Sequence, residues 1–201
     1  MSQLQQKKLM AVASELGLST LDQMQGSTGA VYDEITQAAG VTNFTFFRNA
    51  GSHPFPASNL SSNRFEANEA LLIEALAVYK RPVVGAGANT QGPSAINVAG
   101  DDTPITGVLD LQIGNKRVLK DLLVSGPCIG QAGTAKNGAD MNNVVYLAPT
   151  VGIVIPPQVE FEATVRFSQQ PGNFVDDPAA ADAIGLYLYG TKVNLTFNTS
   201  L

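Results

Sequence analysis

Val159–Phe167, VEFEATVRF, alternates apolar and polar side chains without a break over nine positions. Successive side chains of a strand point to opposite faces, so this run demands a strand with one face in a core and the other outside it. A second apolar run, Val151–Ile155, leads into it across the diproline Pro156-Pro157. The same texture begins at Thr42, where Thr, Val, Phe and Tyr alternate with polar residues and Gly, Pro and Asn divide the segments at short intervals. Strands are predicted at Asn43–Phe47, Ile105–Ile113, Arg117–Val124, Val144–Leu147, Val151–Ile155, Val159–Phe167 and Ile184–Tyr189, with Lys192–Phe197 closing the chain. Gly114-Asn115 is a plausible hairpin turn. In Glu69–Lys80 the Glu, Ala and Leu content favours helix, but Leu71, Ile73, Ala75, Ala77 and Tyr79 alternate, and strand is the reading adopted. So many short strands with almost no helix between them predict an all-β antiparallel sandwich, not a parallel α/β sheet.

The first 40 residues differ. Leu9, Val12, Ala13 and Leu16 recur at helical spacing, which predicts a helix over residues 3–16 ended by Gly17. A second short helix is expected from Ser19 or Thr20, with Asp22 and Gln23 at capping-box spacing, and a third over residues 29–39 ended by Gly40. Their apolar stripe is narrow and Ala-rich, so residues 1–40 are expected to form a helical arm that packs on the main domain or on another subunit, with residues 41–201 as one domain. Phe47–Asn68 carries two prolines and many turn formers, which predicts a long irregular connection that contacts something. Residues 83–103 and 125–143, rich in Gly, Ala, Asn and Ser, are expected to be loops at the ends of the sandwich.

Only 14% of residues are charged while 44% are hydrophobic, so the surface relies on Asn, Gln, Ser and Thr, as suits one covered by neighbours. A net charge of −5, with no more than two adjacent basic residues, argues against direct sequence-specific nucleic-acid binding. Cys128 is the only cysteine, which rules out an intrachain disulfide framework and points to synthesis in a reducing compartment. The N-terminus has no apolar run of signal-peptide length, so synthesis in the cytoplasm is expected, and the sequons at Asn43, Asn59, Asn194 and Asn198 are not expected to be glycosylated.

The inventory for chemistry is short. His53 is the only histidine, too few for a His-rich metal centre, and a loop-packing role is expected for it. Cys128, in GPCIG, has only His53 as a base and no cationic cluster nearby, so a buried apolar role is expected. The glycines at Gly85, Gly87, Gly126, Gly130 and Gly133 lack the G-K-[ST] and basic residues of a phosphate loop. Asp101-Asp102, Asp140, Asp176-Asp177 and Asp182 match no calcium-loop spacing and read as solvated turn residues. With no Trp and five Tyr, sugar hydrolysis over aromatic platforms is discounted. No catalytic residue, cofactor, metal or small-molecule substrate is therefore expected, and the chain is read as not an enzyme.

VGIVIPPQVEFEATVRF (Val151–Phe167) followed by AIGLYLYGTKV (Ala183–Val193) resembles the closing strands of jelly-roll coat proteins of bacteriophages. NFTFFRNAG (Asn43–Gly51), SNL (Ser58–Leu60) and EALLIEALAVY (Glu69–Tyr79) are similar to the opening of such proteins. The resemblance implies a jelly-roll sandwich in a capsid subunit, made in the host cytoplasm and resident in the virion, that self-assembles into an icosahedral shell. Implied partners are copies of itself and other capsid proteins, with an internal membrane a further partner it allows. Leu9, Val12 and Leu16 are the expected arm contacts, and Phe55 and Phe65 the expected loop anchors. The alternative is a receptor- or carbohydrate-binding module, a fibre or spike tip on the same sandwich.

Overall fold

The computed structural model describes residues 3–18, 21, 24–36, 40–53, 55–82, 106–124, 144–147, 152–169 and 182–195. In chain order the elements are α1 (Gln3–Leu16), β1 (Met24–Thr36), β2 (Asn43–Phe46), a 3₁₀ turn (Ala50–Ser52), β3 (Glu69–Pro82), β4 (Gly107–Ile113), β5 (Lys116–Leu123), β6 (Val144–Tyr146), β7 (Ile153–Ile155), β8 (Phe161–Phe167) and β9 (Asp182–Leu195). Two antiparallel sheets form a sandwich: sheet A runs β1-β9-β3-β6, with β7 also on β3, and sheet B runs β2-β8-β4-β5. The pairings are nested along the chain. β4 pairs with β5, β3 with β6 and β7, β2 with β8, and β1 with β9.

Between the sheets lies a core built by alternation. β8 directs Phe161, Ala163, Val165 and Phe167 inward; β4 directs Leu109, Leu111 and Ile113; β9 directs Ile184, Leu186 and Leu188. Phe47 and Phe65 both pack on Phe161, with ring centroids 5.1 and 5.6 Å apart. The hairpin turn sits at Gly114-Asn115 as expected, with Ile113 paired to Lys116 across it. Glu69–Lys80 lies within a strand, as its alternation predicts.

Two expectations are corrected. Residues 24–36 form β1, where a helix over 29–39 was expected, while most of the second short helix expected from Ser19 or Thr20 lies outside the described residues. Thr28, Val31, Tyr32, Ile35 and Thr36 favour a strand, and thirteen consecutive pairs with β9 outweigh any local helical tendency. The closing strands 184–189 and 192–197 are instead one strand through Leu195, because Gly190-Thr191 continues the ladder rather than breaking it. Gly190 stands beside a bulge in β3: Ile73 pairs with Gly190 and Ala75 with Tyr189, leaving Glu74 as the extra residue. A Cβ at Gly190 would lie 1.8 Å from the Leu72 carbonyl oxygen, so only glycine fits.

The bulge flips the alternation of β3. Leu71 and Ile73 face the core before it, Leu76 and Val78 after it. Glu74 turns outward, where its carboxylate meets Lys8 Nζ at 2.8 Å and accepts from Thr191 Oγ1 at 2.6 Å. These contacts bolt α1 to the outer face of sheet A. Leu9, Val12 and Ala13 are buried there against Met24, Ala70, Leu72, Val193 and Leu195. Burial of side chains the size of Leu9 and Val12 contributes roughly 1.5–3 kcal/mol each. Among the described residues no helix is long and apolar enough to cross a membrane.

Candidate interaction surface

The two outer faces of the sandwich differ in chemistry. On sheet B, alternation sends Asn43, Thr45, Asp110, Gln112, Glu162, Thr164 and Arg166 outward. Arg166 Nη2 bridges Asp110 at 3.2 Å and Asp121 at 2.9 Å. Arg48 forks onto Glu162, donating from Nε to Oε2 at 2.6 Å and from Nη2 to Oε1 at 2.8 Å. Those hydrogen bonds hold the Glu162 carboxyl below the usual carboxylate range. Because the folded value is depressed, the stabilisation is present above the ordinary Glu range and is lost as pH falls through the lowered value. Glu162→Gln is accordingly expected to flatten the loss of stability as pH falls below the ordinary Glu range, read from urea midpoints.

Sheet A has an outer face of another kind. One half carries α1. On the other half, two rows of paired residues cross the sheet: Ala30, Tyr189, Ala75 and Tyr146, then Tyr32, Tyr187, Ala77 and Val144. Tyr79 joins them. Its ring crosses Gly185, where a Cβ would lie 2.3 Å from the ring, and its hydroxyl donates to Glu34 Oε1 at 2.9 Å. Their strand neighbours Val31, Leu76, Val78, Leu186, Leu188, Val145 and Leu147 pack into the core, so all five tyrosines of the chain lie on this one face. Ala75 and Ala77 are buried between them, while Tyr146 is 80% and Tyr189 40% exposed. Among the described residues six phenylalanines lie in the core and the tyrosines outside it, a division that suits a surface apolar in area yet able to hydrogen-bond at its rim.

Among the described residues the sheet edges are poorly suited to strand addition. Residues 30–34 of β1 are covered by residues 57–59: Glu34 N–H donates to Ala57 O at 2.8 Å, Tyr32 N–H to Asn59 Oδ1 at 2.9 Å, and Asn59 Nδ2 to Ala30 O at 2.9 Å. β5 carries two register shifts and the exposed Lys116, Arg117 and Lys120. β2 has four residues, and β6 and β7 three each. Short, bulged, basic or covered edges resist edge-to-edge pairing.

The Phe47–Asn68 connection is anchored on Asp33, which is fully buried. Its Oδ2 accepts from Phe47 N–H at 2.7 Å, holding Phe47 at φ +68°, and its Oδ1 lies 2.7 Å from His53 Nδ1. His53 borders a cleft of about 320 Å³ lined also by Ile35, Val41, Asn43, Phe44 and Asn49. A carboxylate orienting an imidazole is two-thirds of a nucleophilic triad, but among the described residues no hydroxyl is bonded to the ring, and Ser52 Oγ donates to Asn49 O instead. The pair works as a loop clamp. Asp33→Ala is expected to cost about 3 kcal/mol in urea unfolding, since it orphans a buried N–H, whereas Asp33→Asn keeps that acceptor and costs roughly 1 kcal/mol.

Of the expected contact residues, Leu9 and Val12 are buried against the chain's own sheet, and Leu16 is half-buried beside them. Phe65 is also inside, stacked on Phe161, because its segment returns to the sandwich through Gln158 N–H to Phe65 O at 3.1 Å. Leu9, Val12 and Phe65 thus offer no free surface to a neighbour, and Leu16 only part of one. Phe55, 80% exposed, does. The tyrosine face went unrecognised in sequence, although Y-L-Y at Tyr187–Tyr189 carries its signal. Cys128, Asp101, Asp102, Asp140, Asp176 and Asp177, and the loops over 83–103 and 125–143, lie outside the described residues. No group of three or more potential metal-ligating side chains occurs among those described. No family model, curated protein or solved structure matches this chain.

Proposed function

We propose that this chain is a coat subunit of a bacteriophage shell, a jelly roll that assembles with copies of itself and with other capsid proteins in the virion. The observation that carries the reading is the nested strand pairing. If β6 and β7 are taken as one interrupted edge strand of β3, the sandwich has eight strands paired first with last, second with seventh, third with sixth and fourth with fifth. A long antiparallel ribbon rolled up on itself gives this order, and eight-stranded double-sheet jelly rolls recur in viral capsids. The blunted edges fit a block that meets its neighbours through faces and loops. This role requires no reaction, and the Asp33–His53 pair has a structural use within it.

Static light scattering of the full chain across salt and calcium concentrations tests the proposal. Screening the net charge of −5 is expected to raise the scattering mass as NaCl increases from about 0.05 to 0.5 M. A mass that stays at one chain throughout would overturn it. The alternative binding module draws on the tyrosine rows, since aromatic faces stack on sugars, and a small closed oligomer under all conditions would select it.

A further inference from the structure

We propose that the tyrosine half of the outer face of sheet A, centred on Tyr146 and Tyr189, is the surface on which a second copy of this chain docks; the inference rests on the coat-subunit reading. Charge is the first argument. Copies carrying −5 repel one another, and the outer face of sheet B presents carboxylates and guanidinium groups that hold water. Among the described side chains of the tyrosine rows the only charged group is Glu34, which is 6% exposed and accepts from Tyr79. A face so poor in exposed charge is where like-charged copies approach at least electrostatic cost.

Elimination supplies the second argument. With the described sheet edges short, bulged, basic or partly covered, association by strand addition is disfavoured, and contact falls to the faces and loops. α1 already occupies the other half of the face, seated by Leu9 and Val12 and locked at the bulge by Lys8 and Glu74. What remains outside is an aromatic surface beside α1. Tyrosine is the residue type that interface centres favour, since its ring buries area while its hydroxyl finds a partner.

The test uses the purified full chain. Tyr146→Arg with Tyr189→Arg places two like charges on the face at exposed positions, and Gln112→Arg adds one to the exposed outer face of sheet B as a control. In sedimentation velocity the wild type and Gln112→Arg are expected to form the same assemblies, while the double variant sediments as a single chain with an unchanged far-UV spectrum. Because the chain has no Trp and its five Tyr share this face, tyrosine chemistry reports on it alone. Nitration by tetranitromethane is expected to modify Tyr146 in dilute monomer and at least tenfold more slowly in the assembly. If the double variant assembles like the wild type, or Tyr146 nitrates equally fast in both states, the docking assignment is overturned while the coat reading stands. Loss of assembly in Gln112→Arg as well would show a general charge effect and also overturn the assignment. A wild type that never associates would overturn both.

Discussion

A variant lacking residues 1–40 is expected to show no cooperative thermal transition, whereas one lacking residues 1–18 should still melt cooperatively. The difference lies in β1. Removing Met24–Thr36 strips thirteen consecutive pairs from β9, takes Val31 out of the core and deletes Asp33, which holds Phe47 and His53. It also bares the edge of β9, a long and largely apolar strand. Removing residues 1–18 leaves both sheets intact and uncovers only the patch formed by Met24, Ala70, Leu72, Val193 and Leu195. The expected cost is several kcal/mol of lost burial, visible as a lower melting temperature and a greater tendency to aggregate. Circular dichroism melts of the two variants decide the matter. If residues 1–40 were a removable arm, both variants would melt alike.

Gly190→Ala should destabilise the β3–β9 ladder strongly for the addition of a single methyl group. The added methyl would meet the Leu72 carbonyl at 1.8 Å and the Glu74 amide nitrogen at 3.0 Å, and backbone has no rotamer with which to yield. Relief requires β3 and β9 to separate at the bulge or to slip in register. A slip of one residue would send Leu76 and Val78 out of the core and Ala75 and Ala77 into it. Separation would break the Glu74 contacts that seat Lys8 and Thr191. A destabilisation of about 3 kcal/mol is expected, equivalent to a fall of roughly 6–12 °C in Tm for a chain of this size. Urea and thermal unfolding of the wild type and Gly190→Ala measure it directly. A change under about 0.5 kcal/mol would mean that the bulge does not sit at Glu74.

Most of the β-domain was legible because its signal is local. The alternation of Val159–Phe167, the apolar spacing of residues 3–16 and the Gly114-Asn115 turn each depend on a few neighbouring residues, and each appears where it was expected. β1 was missed because its pattern is disguised. Asp33 faces inward to anchor a loop, and Glu34 faces outward into a bond with Tyr79, so the polar residues do not mark a solvent face. Neither role can be read without the partner, fourteen residues away for Phe47 and forty-five for Tyr79. Leu9 and Val12 gave a correct helix and an uninformative contact, since an apolar stripe does not say whose surface it covers. The tyrosine face is the clearest limit. Tyr187 and Tyr189 share a face by alternation along β9, but Tyr146 joins them only through the register of β3 with β6 and β9, and that register is set by a bulge which no local pattern announces.

Self-assembly is the central claim, and negative-stain electron microscopy of the purified full chain, in physiological salt with and without calcium, tests it most directly. Shells, curved sheets or symmetric capsomers built of many copies are the expected result. Fields of uniform single chains, or one small closed oligomer in every condition, would contradict it.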